Sequence, residues 1–123
     1  MPKILITEDE TDIRQLIFFT LQFAGFEVVQ GKNGEEAVVL SKQEKPDLIL
    51  MDVRMPKMDG FTAAQQIKAD PETAHIPIIF LSAKGQDVEI EQGLEVGAVD
   101  YLLKPFNPPE LIDRIKSTLS GLE

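Results

Sequence analysis

The sequence predicts a three-layer, doubly wound α/β fold, with helices on both faces of a five-stranded parallel sheet. Three observations carry this. Short apolar runs alternate five times with longer amphipathic stretches. Several of those runs are nearly continuous in Ile, Leu, Val and Phe, as strands buried on both faces must be. A chain of 123 residues has the size of one domain, so residues 1–123 are read as a single unit.

The first strand is read over Lys3–Thr7 (KILIT), and a helix follows over Glu10–Ala24. In that helix Ile13, Leu16, Ile17, Thr20, Leu21 and Ala24 recur at spacings of three and four and make one apolar face. Phe19 and Phe23 flank that face, whereas Phe18 falls away from it and is expected to be exposed. The second strand is Phe26–Gln30. Asn33 then caps a helix with Glu36 three residues on, and Pro46 stops it. Asp47–Met51 is the third strand, and Asp59–Ala69 the third helix, opened by an Asp59-Gly60 turn. The fourth pair is Pro77–Leu81 and Gln86–Val96, with Gly97 at the helix end. The fifth is Ala98–Leu103 and a helix opened by Asn107-Pro108-Pro109-Glu110, with Asn as cap and Pro at the first helical position. Right-handed crossovers between parallel strands place these helices on both faces of the sheet.

Composition narrows the chemistry. Without cysteine there is no disulfide scaffold, thiolate zinc site or Cys nucleophile, and one histidine cannot build a multi-His metal site. Twelve Lys and Arg against 21 Asp and Glu give a net charge of −9, which opposes direct nucleic-acid binding. No apolar run is long enough to span a membrane, and the start, Met1-Pro2-Lys3-Ile4, does not read as a signal peptide. A cytoplasmic location is expected.

In open α/β sheets functional groups gather outside the carboxyl ends of the strands. There the sequence places Glu8 and Asp9 after strand one, Asp52 after strand three, Ser82 after strand four and Lys104 after strand five. Three carboxylates brought within a few ångströms repel by on the order of several kcal/mol per close pair. A divalent hard cation offsets that, and oxygen-only ligands favour Mg²⁺ (or Mn²⁺) over zinc. Metal, lysine, hydroxyl and a nucleophilic carboxylate make half of a phosphoryl-transfer site. No glycine-rich phosphate loop follows strand one, so the phosphoryl group must arrive on a donor.

These residues resemble the receiver family of two-component response regulators, with its CheY-like, flavodoxin-like (βα)5 fold. The carriers are Glu8-Asp9, the segment from Met51-Asp52 to Asp59-Gly60, Ser82-Ala83-Lys84, and Gly97-Ala98 through Tyr101 to Lys104-Pro105-Phe106. The resemblance implies that Asp52 is the phosphoacceptor. It implies that Glu8, Asp9, Asp52 and the backbone carbonyl of Arg54 hold Mg²⁺. Ser82 then contacts the phosphoryl group, Lys104 pairs with it, Tyr101 is the switch aromatic and Lys104-Pro105 is cis. Arg54 and Lys84 flank the phosphoryl path and are expected to tune its lifetime.

Implied partners are a sensor histidine kinase or phosphotransfer protein and a downstream target or output domain. Phosphorylation would switch the surface of the fourth helix, fifth strand and fifth helix. A weak homodimer is also implied, but the acidic residues Glu89, Glu91 and Glu95 argue against the family's symmetric one. Phe18, with Ile13, Arg14 and Phe106, is a candidate for docking the kinase. At Thr7 an aliphatic residue is commoner in the family. The alternative is a small Mg²⁺-dependent phosphatase with an aspartyl nucleophile. Such enzymes carry a second Asp two residues after the nucleophile, where this chain has Arg54. Met51, Met55 and Met58 are expected to pack, and His75 to lie in an exposed loop.

Overall fold

A computed structural model describes residues 1–83, 91 and 95–121. Its elements are β1 (Lys3–Thr7), α1 (Thr11–Phe23), β2 (Glu27–Gly31), α2 (Gly34–Glu44), β3 (Leu48–Asp52), α3 (Gly60–Ala69), β4 (Ile78–Ala83), β5 (Asp100–Lys104) and α4 (Pro108–Ser120). The five strands form one parallel sheet in the order β2-β1-β3-β4-β5. The helix expected over 86–96 and the side chain of Lys84 lie largely outside the described residues. No helix among the described residues is long and apolar enough to cross a membrane.

The helix starts follow from the predicted caps. Asn33 accepts from the Glu36 amide at 2.9 Å, Asp59 from Thr62 at 2.8 Å and Asn107 from Glu110 at 2.8 Å. Each satisfies an amide that the first helical turn leaves without a partner. The chain leaves α2 through Lys45 in the left-handed region (φ 48°), just before Pro46.

Strand alternation sorts the apolar side chains into two cores. Ile4, Ile6, Leu48, Leu50, Ile79, Leu81 and Leu102 face α1 and α4, where Ile17, Leu21, Leu111 and Ile115 meet them. Leu5, Ile49, Met51, Ile78 and Phe80 face the other way, toward α2 and α3, against Ala37, Ala63, Ala64 and Ile67. Burying a side chain of this kind stabilises the fold by roughly 1.5–3 kcal/mol.

Helix α1 corrects the sequence reading. Its buried residues are Arg14, Ile17 and Leu21, with Phe18 packed against the same core. Leu16, Phe19 and Phe23 are exposed instead, at 51%, 61% and 95%. The inward stripe is thus 14, 17, 18, 21, a regular i, i+3, i+4, i+7 pattern in which one member is an arginine. Because Arg14 turns inward, the helix is rolled so that Leu16 faces out and Phe18 faces in. Arg14 is therefore not part of a docking surface.

Candidate functional site: an acidic cluster at the carboxyl edge of the sheet

The same alternation that builds the cores delivers the polar groups. Side chains of even-numbered residues on β1, β3 and β5 (Ile6, Leu50, Leu102) point to the α1 side, so Glu8, Asp52 and Lys104 continue that file. Asp52 and Lys104 are the last residues of their strands, one position further into the sheet than the sequence suggested. The parallel register places Asp52 beside Leu81, and Ala83 beside Lys104. The ends of β1, β3 and β5 thereby converge, with β4 between the last two.

The geometry is tight. Lys104 Nζ lies 2.8 Å from Glu8 Oε1 and 3.1 Å from Asp52 Oδ1. Glu8 and Asp52 are buried and Asp9 is exposed, yet an oxygen from each of the three lies within 4.8 Å of the others. Glu8 Oε2 also accepts from the amide of Glu10 at 3.2 Å. Burial, reinforced by the charge of Asp52 and only partly offset by Lys104, pushes the Glu8 carboxyl up to about 7. Burial also raises Asp52 against the pull of Lys104. Burial works against the Lys104 ammonium, but the hydrogen bond to Glu8 and the charge of Asp52 outweigh it and leave that group raised.

Close backbone approaches support the acceptor segment. The Gly60 amide donates to the Val53 carbonyl at 2.8 Å and closes the loop that follows Asp52. A side chain at Gly60 would collide with the Asp52 carbonyl, and one at Gly34 with the Met58 carbonyl. The Gly34 amide donates to that Met58 oxygen at 3.0 Å, so the start of α2 ties down the far side of the loop. Arg54 is exposed on this loop, beside a cleft lined by Asp9, Met55, Pro56, Asp59 and Phe61.

Ser82 and Tyr101 lie on the adjacent strands β4 and β5, near the carboxyl edge that carries the acidic cluster. Phe80 pairs with Tyr101 and Ser82 with Leu103, so Ser82 and Tyr101 are diagonal neighbours on the face toward the second core. Ser82 is buried and Tyr101 half-buried. The Lys104-Pro105 peptide is cis and Pro105 is exposed. Lys104, Pro105 and Phe106 line an apolar groove with Ile13 and Leu16. Met51 is core, Met55 and Met58 pack against the second core, and His75 is exposed.

Sequence reasoning missed the environment of Arg14, whose Nη1 donates to the Glu8 carbonyl at 2.7 Å beneath the cluster. The i, i+3, i+4, i+7 stripe through Ile17, Phe18 and Leu21 was the signal for it. As for a cation, the three carboxylates meet only one ammonium within ion-pair distance among the described residues. That surplus of oxygen charge, with one carboxylate open to solvent, suits Mg²⁺.

A model of the response regulator receiver domain matches residues 4–116. The chain belongs to this family. The receiver is 46% identical over 116 residues to the phosphate regulon transcriptional regulatory protein PhoB of Pseudomonas aeruginosa, covering 94% of this chain and 51% of that protein. It thus spans about half the length of the curated relatives it matches. Among solved structures it superposes on the chemotaxis response regulator CheY4 of Vibrio cholerae with a TM-score of 0.89 at 34% identity, covering 95% of this chain and 98% of that one. The receiver domain of sensor histidine kinase PA1611 from Pseudomonas aeruginosa, solved with magnesium coordinated in its active site cleft, gives a TM-score of 0.90 at 33% identity, covering 97% and 98%. The fold is CheY-like, and the role of the receiver is that of a two-component phosphoacceptor.

Proposed function

We propose that residues 1–123 form one cytoplasmic receiver domain that takes a phosphoryl group onto Asp52. The donor is a phosphohistidine on a sensor histidine kinase or phosphotransfer protein. The observation that carries this reading is Lys104 Nζ bridging Glu8 and Asp52 at 2.8 and 3.1 Å, with Asp9 in the same cluster.

An Asp52 carboxylate oxygen attacks phosphorus in line, the new O–P bond forming as the P–N bond to the donor imidazole breaks. The bonding pair leaves with the imidazole nitrogen, which takes up a proton from solvent. Lys104, already 3.1 Å from Asp52, follows the transferred charge. The Ser82 hydroxyl donates to a phosphoryl oxygen. Glu8, Asp9, Asp52 and the Arg54 carbonyl would hold Mg²⁺ (or Mn²⁺), which neutralises charge on the phosphoryl oxygens when bound. Water later cleaves the acyl phosphate, with Arg54 and Lys84 setting its lifetime. The chain catalyses only its own phosphorylation and dephosphorylation.

The switch couples Ser82 to Tyr101 across β4 and β5. As Ser82 is drawn to the phosphoryl group, its diagonal neighbour Tyr101 turns into the space released. The surface of residues 86–96, β5 and α4 then changes for a protein target or output domain. Taking such an equilibrium from 1:99 to 99:1 needs about 5.5 kcal/mol. A few charge-assisted hydrogen bonds of roughly 1.5–3 kcal/mol each supply that. The net charge of −9 favours a protein partner over direct contact with nucleic acid.

Incubation with acetyl phosphate and MgCl₂, followed by intact-mass measurement, tests the reading. Wild type is expected to gain one phosphoryl group per chain, stable in acid and labile in base, and Asp52→Asn none. Equal labelling of both proteins, or none in wild type, would overturn it. Sustained turnover of p-nitrophenyl phosphate would favour the phosphatase alternative.

A further inference from the structure

Arg14 is an arginine in a core position. It is 6% exposed, on the inward stripe of α1 with Ile17 and Leu21. Among the described residues its guanidinium forms no ion pair. Burying an unpaired charge is costly, and an aliphatic side chain would fill this stripe without that cost. Among the described residues, the one hydrogen bond its side chain makes is to the backbone carbonyl of Glu8, at 2.7 Å.

That carbonyl belongs to the peptide unit joining Glu8 to Asp9. A peptide unit is planar and rigid, and its orientation fixes ψ of the residue before it and φ of the residue after. Turning this one plane therefore re-aims both acidic side chains. Its surroundings hold it only partly. The Glu8 amide is bound to Gly31 at 3.2 Å, and the Glu10 carbonyl is taken by the Arg14 amide at 2.9 Å, but among the described residues no other donor reaches the Glu8 oxygen. The guanidinium is the clamp on the plane that carries two of the three clustered carboxylates.

We propose that Arg14 is a positioning residue for the divalent cation, holding Glu8 and Asp9 in register with Asp52. The proposal rests on the metal-assisted phosphoacceptor reading above. It makes a prediction opposite in sign to simple electrostatics. Removing a buried cation near a divalent site should tighten metal binding if charge alone matters. Releasing the peptide plane should weaken it. Loss of a group that orients a ligand typically costs 10–100-fold in metal affinity.

The test is calorimetric titration of the apo protein with MgCl₂. Arg14→Met is expected to raise the Mg²⁺ Kd by about tenfold or more. Arg14→Lys, which keeps a donor and the charge, should recover much of the loss. Leu21→Ala, two turns along the same buried face, is the stability control: it lowers the urea midpoint but leaves Kd unchanged. Arg14→Gln is the second variant should Arg14→Met not fold. With acetyl phosphate as donor, the Arg14→Met rate should return toward wild type at saturating Mg²⁺. A Kd equal to or tighter than wild type in the Met or Gln variant would overturn the proposal. Failure of wild type itself to bind Mg²⁺ would instead overturn the reading beneath it.

Discussion

Thr7 offers a stability prediction that can be worked through from the structure. It is fully buried at the end of β1, between Gly31 of β2 and Met51 of β3. Its Oγ1 is the one buried side-chain polar atom among the described residues with no hydrogen-bond partner. A buried, unsatisfied hydroxyl costs about 1–3 kcal/mol. Thr7→Val replaces that hydroxyl by a methyl group of similar shape and keeps the Cγ2 that lies against Gly31. Taking about 1.5 kcal/mol as the gain, and about 2.1 cal/mol/K of unfolding entropy per residue, the melting point should rise by roughly 6 °C. Urea titration should show a higher midpoint at unchanged slope, because the surface exposed on unfolding is the same. Thr7→Ser, which keeps the hydroxyl and loses the methyl, should move the other way. Thr7 and Glu8 project to opposite sheet faces, so Mg²⁺ affinity should not change. An unaltered or lower midpoint in Thr7→Val would refute the reasoning.

The raised Glu8 carboxyl implies a pH dependence. With a pKa near 7 in the folded chain against 4.5 in the unfolded one, the folded state holds the extra proton between those values. That contribution is present below about pH 4.5 and is lost as pH rises to about 7, on the order of 3 kcal/mol in all. Urea midpoints in EDTA should therefore fall less between pH 5 and pH 8 in Glu8→Gln than in wild type, and equal declines would refute the assignment. Gly34→Ala should lower stability by about 1–3 kcal/mol, because the new methyl collides with the Met58 carbonyl. An unshifted urea midpoint would show that the loop yields freely.

The fold was legible because strand burial and helix capping are local. Short, near-continuous apolar runs suit strands of a sheet covered on both faces, and Asn33, Asp59 and Asn107 mark helix starts that the structure reproduces. The polar group at each strand end was legible for the same reason. What escaped was tertiary. The stripe through Ile17, Phe18 and Leu21 points to Arg14, but helical spacing alone does not choose it over the stripe through Leu16, because the carbonyl that decides the roll lies outside the helix, at Glu8. Likewise Gly34 and Met58 are 24 positions apart, so their contact leaves no periodic trace in the sequence.

The acidic cluster also ties stability to ligand binding. Two buried carboxylates share one ammonium, and at neutral pH the folded chain must either carry their repulsion or take up a proton. A cation that binds the folded state alone removes that penalty and stabilises the fold by RT ln(1 + [L]/Kd). The same burial that makes the empty cluster costly also lowers the dielectric around it, which strengthens every attraction to an incoming charge. Lys104 sets the balance between these effects. Bonded to Glu8, it holds that carboxylate in place, and at 3.1 Å from Asp52 it is the nearest cation to the oxygen that must react. Replacing Lys104 by an apolar residue would therefore not simply delete one catalytic charge. It would leave two desolvated carboxylates to be neutralised by protons, and a protonated Asp52 is no nucleophile.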